Sequence, residues 1–186
     1  MGTYLEPPKM TYYARIRSNL TGQVLTNWKF FDASLWYYGK LNADYGGESE
    51  YIVELDVWNN EPAFNAGDYS VHNKNAIACR LGIVPLTTDD DLSDSNTVLD
   101  LSLFKLDQPF FYGRCRTTYT REEWTPITLN NPLTKLYGTN NPNQIGVLYG
   151  NADHMIIQTK IILPEDSNLL SNTRYPFNLS FEYDYQ

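Results

Sequence analysis

The sequence predicts an all-β protein: an antiparallel β-sandwich of jelly-roll-like type, with one or two short helical turns and an extended N-terminal arm. Three observations predict it. Apolar and polar residues alternate with period two through most of the apolar segments, which is the pattern of half-buried strands. Turn-forming groups interrupt these runs at short intervals, at Gly46-Gly47, Gly67-Asp68, Asp107-Gln108-Pro109, Asn130-Asn131-Pro132 and Asn140-Asn141-Pro142. Aromatic residues make up 15% of the chain, with 15 Tyr and 4 Trp, while charged residues are held to 19%.

The elements follow in chain order. Residues 1–10 contain Pro7-Pro8, which enforces an extended, non-helical arm with no core pattern of its own. Such an arm is ordered when it packs on its own sheet or on a neighbouring subunit. Residues 11–186 are expected to form a single sandwich domain. Strands are expected at 12–19, 22–30, 48–58, 75–84, 96–106, 110–119, 144–150 and 154–163, and along the C-terminal run. That run is the clearest, with Phe177, Leu179, Phe181, Tyr183 and Tyr185 on one face and Asn178, Ser180, Glu182 and Asp184 on the other. In 96–106, Leu99, Leu101 and Leu103 share a face. The segment "FFDASLWYYGKL", 30–41, places Phe31, Leu35 and Tyr38 at helical spacing and ends at Gly39, so it reads as a helical turn plugging one end of the sandwich. A second turn is expected at 120–126, capped by Thr120 with Glu123 at capping-box distance.

Charge excludes one class of partner. With 22 acidic and 14 basic residues the net charge is −8, and no basic cluster offsets it, so nucleic acid is not expected as a ligand. The pairs Arg15/Arg17 and Arg114/Arg116 stand at strand spacing and read as solvated faces that pair with carboxylates. No apolar run reaches the roughly 18 residues of a membrane span. The opening "MGTYLEPPKM" is polar and Pro-rich, so no secretion signal is expected in it. Cys79 alternates with Ile77, Leu81 and Ile83, and Cys115 with Thr117 and Tyr119. Both thiols are therefore expected to point inward as small hydrophobes. The chain has only His72 and His154 and no CxxC pair, so neither a metal site nor a cofactor is expected.

Two motifs need weighing as chemistry. Asn60-Glu61-Pro62, at the end of a strand, resembles the acid/base motif of the retaining glycoside hydrolases built on TIM barrels. That chemistry needs a second carboxylate about 5 Å away, and the barrel typically needs about 250 residues with eight helices. Only 59 residues precede Asn60, and no series of amphipathic helices is present, so the letters read as a turn with Glu61 as a loop carboxylate. The acidic run at 87–96 sets Asp89, Asp91, Ser93, Ser95 and Asp100 at calcium-loop spacing, but Asp94 stands where the loop requires glycine. It reads as a solvated acidic loop. No nucleophile elbow or phosphate loop occurs, and the chain is expected not to be an enzyme.

The stretch "DVWNNEPAFNAGDYSVHNKNAIACRL", together with the acidic, Tyr- and Asn-rich all-β composition and the arm, resembles the strand-loop-strand texture of tailed-phage virion structural proteins. The resemblance implies a capsid, head-tail or tail-associated subunit located in the virion. Its partners would be other virion proteins or copies of itself. Contacts through such a surface would draw on Tyr4, Leu5, Pro7 and Pro8 of the arm and on the aromatics Trp36, Tyr37, Tyr38 and Trp58. The alternative is a carbohydrate-binding module or receptor-binding part, with Trp28, Trp36, Trp58 and Trp124 available to stack on sugar rings.

Overall fold

The computed structural model describes residues 7–31, 37–41, 47–62, 74–85, 97, 101–107, 109–116, 122–164, 173–175 and 177–186. Among the described residues there are eight strands: β1 (Met10–Ser18), β2 (Lys29–Phe30), β3 (Tyr51–Asn59), β4 (Ala76–Pro85), β5 (Phe111–Arg116), β6 (Thr125–Pro126), β7 (Asp153–Ile161) and β8 (Phe177–Tyr185). They form a six-stranded sheet in the order β2-β1-β3-β7-β5-β6 and a two-stranded sheet, β4-β8. Every pairing between these strands is antiparallel. The two sheets pack face to face as an all-β sandwich.

Period two explains the core. Val53, Leu55 and Val57 of β3, Met155 and Ile157 of β7, and Phe111 and Cys115 of β5 point inward and are buried. Cys79, Leu81 and Ile83 of β4 meet them from the smaller sheet, with Phe177, Leu179 and Phe181 of β8 partly buried beside them. Burying each large aliphatic side chain contributes roughly 1.5–3 kcal/mol, so this interlayer cluster is the main source of stability. Both cysteines are free thiols buried in it, as their alternation predicts. Burial pushes both up to about 12.

Loops close one edge of the smaller sheet. Leu133 and Leu81 exchange backbone hydrogen bonds at 2.7 and 3.0 Å, Leu148 and Ala76 do so at 2.9 Å, and Cys79 N donates to Gly146 O at 3.0 Å. These bonds occupy the side of β4 away from β8.

Several local expectations are corrected. Residues Leu101–Phe104 form a 3-10 turn, not a strand. The turn sinks Phe104 into the core against Phe110 and Phe177 and leaves Leu101 exposed, while Leu99 lies outside the described residues. In β4 a bulge between Ile77 and Arg80, with Ala78 at φ 51, shifts the alternation. Ala76 therefore takes the inward place expected for Ile77, in line with Cys79, Leu81 and Ile83. The run 22–30 forms only a bridge from Val24 to Arg17 and the two-residue β2. Its ladder is broken where Thr26 Oγ1 accepts from Ile16 N at 2.8 Å in place of a backbone carbonyl. The run 144–150 makes a single bridge, at Leu148. Met10, expected as the last arm residue, opens β1. Lys9 O accepts from Asn60 N at 2.9 Å, which ties the end of the arm to the domain.

The helical turn expected at 30–41 falls largely on residues 32–36, outside the described residues, with Gly39 beyond them at φ 78. Thr120, the expected cap of 120–126, the whole acidic run at 87–96 and Asp100 also lie outside the described residues.

Candidate functional site: the outer sheet face and the hairpin edge

The outward face of the six-stranded sheet carries a charged row that runs across four strands. Register places Arg15 of β1 opposite Glu54 of β3, Glu54 opposite Gln158 of β7, and Gln158 opposite Arg114 of β5. The Glu54 side chain is completely buried, yet it is surrounded by donors. Arg15 Nε bonds its Oε2, Arg17 Nε donates to Oε1 at 3.1 Å, Arg116 Nη1 to Oε1 at 3.4 Å, and Gln158 Nε2 to Oε1 at 2.7 Å. Arg114 Nε in turn donates to Gln158 Oε1 at 2.9 Å. Burial works against ionising this carboxyl, but hydrogen bonds from Gln158, Arg15 and Arg17 outweigh it and hold Glu54 below the usual carboxylate range. The arginines expected to be solvated are thus drawn together over one buried charge. Two indoles flank the row, with Arg15 over Trp28 at 4.2 Å, and Arg114 and Lys160 over Trp124 at 4.2 and 4.5 Å. Lys160 also pairs with Glu48 at 2.8 Å, which lowers the Glu48 pKa.

A second group lies on the same face nearer the end of β3. Asp56 Oδ1 is 2.7 Å from His154 Nδ1, and Trp58 Nε1 donates to Asp56 Oδ2 at 3.0 Å. The Trp58 and His154 rings stack at 4.1 Å and 10°. An Asp–His pair can orient an imidazole as a base. Among the described residues, however, this imidazole has no side-chain hydrogen bond other than the one to Asp56. The arrangement ties β3 to β7 across the register pair Trp58↔His154.

Asn60-Glu61-Pro62 does structural work here. Asn59 Nδ2 donates to Lys74 O and Leu148 O at 2.8 and 3.0 Å, and Asn60 Nδ2 donates to Gly150 O at 3.0 Å. Asn60 holds the left-handed conformation, φ 56, that turns the chain away from β3. Glu61 accepts the Tyr13 hydroxyl at 2.8 and 3.0 Å. Burial and this bond to Glu61 push Tyr13 up to about 12. The motif joins the ends of three segments.

The residues anticipated for partner contacts are dispersed. Tyr4, Leu5 and Trp36 lie outside the described residues. Pro7 is exposed and Pro8 is buried. Tyr37 is 55% exposed, with its ring 5.9 Å from Tyr51. Tyr38 is corrected to a core residue: it is buried, packs edge-on against Phe111 and shares a 2.7 Å hydrogen bond with Thr159 Oγ1. Alternation with the exposed Tyr37 turns it inward. Trp58 is half-buried and engaged with Asp56 and His154. The three described Trp rings each have one face against a protein cation or the His154 ring.

Sequence reasoning missed the β1–β2 hairpin and the residue that follows it. Leu20, Val24, Leu25, Phe30 and Phe31 are all exposed along it, with Leu20 at 94%. The hairpin overhangs a depression of about 780 Å³ lined by residues that include Leu20, Leu25, Glu48, Glu50 and Tyr51. The only signal for it in the sequence is the strand expected at 22–30. No family model, curated protein or solved structure matches the chain.

Proposed function

We propose that the chain is a non-enzymatic structural subunit of a larger assembly and acts through protein–protein contacts. Its partners are copies of itself and, in the finished particle, other proteins, and the sequence texture favours a tailed-phage virion as the setting. In this reading the jelly-roll-like sandwich is a rigid brick whose outer face is locked by the Glu54 network. The supporting observation is the hairpin edge. Five large apolar side chains, Leu20, Val24, Leu25, Phe30 and Phe31, are exposed along the hairpin and the residue after it, and two of them, Leu20 and Leu25, line a concave depression, on a chain whose net charge is −8. A grouped apolar edge next to a hollow is the kind of surface that a protein partner desolvates.

The test is the molar mass of the purified chain by light scattering, with and without the double substitution Leu25→Ser and Phe30→Ser. An oligomer that dissociates in the double variant, with unfolding behaviour unchanged, supports the reading. A wild-type chain that stays monomeric overturns it.

A further inference from the structure

We propose that β8 is a docking edge, and that its occupant is the β8 strand of a second copy, paired antiparallel about a two-fold axis at Phe181. The inference rests on the assembly reading and names one contact of that assembly. β8 hydrogen-bonds to β4 along one side only, and among the described residues nothing pairs with its other side. The far side of β4 is closed by Leu133, Gly146 and Leu148, so among the described residues β8 is the open margin of the smaller sheet.

Among the described residues, no strand covers the larger sheet beyond that margin. Of the inward side chains of β1, only Ala14 is buried, while Tyr12 and Ile16 are half-buried. A groove of about 180 Å³, lined by Tyr12, Phe31, Leu55, Leu81, Leu179 and Phe181, runs between the two layers at this place. A strand added beside β8 would lie over this groove and extend the second layer across β1.

β8 has only part of the usual protection of a free edge. Its nine residues, FNLSFEYDY, contain no proline and no lysine, the bulge in this sheet lies in β4, and its only charges are Glu182 and Asp184. Its charges also favour a copy of itself. Phe181 is the middle residue of the nine, so pairing along the full length sets Glu182 opposite Ser180 and Asp184 opposite Asn178. No acidic residue then faces another. Leu179 faces Tyr183 on the apolar side, and Phe181 faces its own copy. Glu182 is further neutralised within its own chain by Arg80 at 2.7 Å and by the Ser180 hydroxyl at 2.9 Å.

The test reverses a sign at one exposed position. Asn178 is exposed, so Asn178→Lys and Asn178→Glu both leave the core untouched. In the dimer, residue 178 faces Asp184 of the other copy twice. Lysine tightens and glutamate loosens the dimer dissociation constant measured by sedimentation equilibrium, each by about two- to thirty-fold. Matching thermal unfolding of the two variants shows that the fold is kept. An oligomer whose constant ignores the sign at 178 overturns this pairing and leaves the assembly reading standing. A monomer in all three proteins overturns both.

Discussion

Replacing Glu54 with glutamine removes one charge from the centre of the six-stranded sheet and leaves its cationic neighbours in place. The Glu54 side chain is wholly buried, whereas those of Arg15, Arg17 and Arg116 are 18%, 14% and 36% exposed. Breaking a buried ion pair by deleting one partner costs about 3–5 kcal/mol. The three guanidiniums can recover part of their hydration, which places this substitution at the low end, about 3 kcal/mol. An amide also presents two N–H donors where Arg15 Nε and Arg17 Nη2 already donate, so one set of bonds is lost outright. With a urea slope of about 2 kcal/mol/M, the unfolding midpoint should fall by about 1.5 M.

The pH dependence gives a second reading of the same variant. Glu54 is held below its ordinary value of 4.5, so its contribution is present above that value and lost as pH falls through the lower folded value. Wild-type stability should therefore drop on acidification below about pH 4.5, and Glu54→Gln should show a flatter profile in that window. A midpoint shift under about 0.3 M, the scale of an exposed ion pair, would refute the view that this network locks the sheet.

Three further outcomes are expected. Gly138→Ala should cost about 3 kcal/mol, because a Cβ there overlaps Asp153 Oδ2, and Asp153 accepts from the backbone N–H groups of Asn140, Tyr149 and His154; urea unfolding close to wild type would contradict this. Asn60→Ala should destabilise by about 2–3 kcal/mol and Asn60→Gly by about 1, since both lose the bond to Gly150 O but only alanine resists the positive φ; the reverse ranking would contradict it. Cys79 and Cys115 are pushed up to about 12 by burial, so neither should react with a thiol reagent at pH 8 in the native state, and both should react in denaturant. Prompt labelling of the native chain would place a thiol outside the core.

How far the sequence could be read depends on what each feature needs. Where one face is apolar and the other polar over nine residues, as in Phe177–Tyr185, local alternation is enough to mark the strand. The 3-10 turn at Leu101–Phe104 depends on Phe104 finding Phe110 and Phe177, which are distant in sequence or separated by a turn, so alternating leucines mislead. Ala76 replaces Ile77 in the core because a bulge inserts a residue, and no local residue type announces it. The charged face was half visible. Arg15/Arg17 and Arg114/Arg116 stand at strand spacing, but their meeting over Glu54 requires the order β1-β3-β7-β5, which spacing does not encode. The exposed hairpin was hidden for a related reason: an apolar strand is assumed to bury one face, while this one forms only two residues of ladder at a sheet edge.

The central claim is that this chain works as one piece of a larger assembly, and its molar mass in solution tests that most directly. Light scattering across a concentration series should give a multiple of the 21.5 kDa of the single chain. A mass of 21.5 kDa at every concentration would contradict the account.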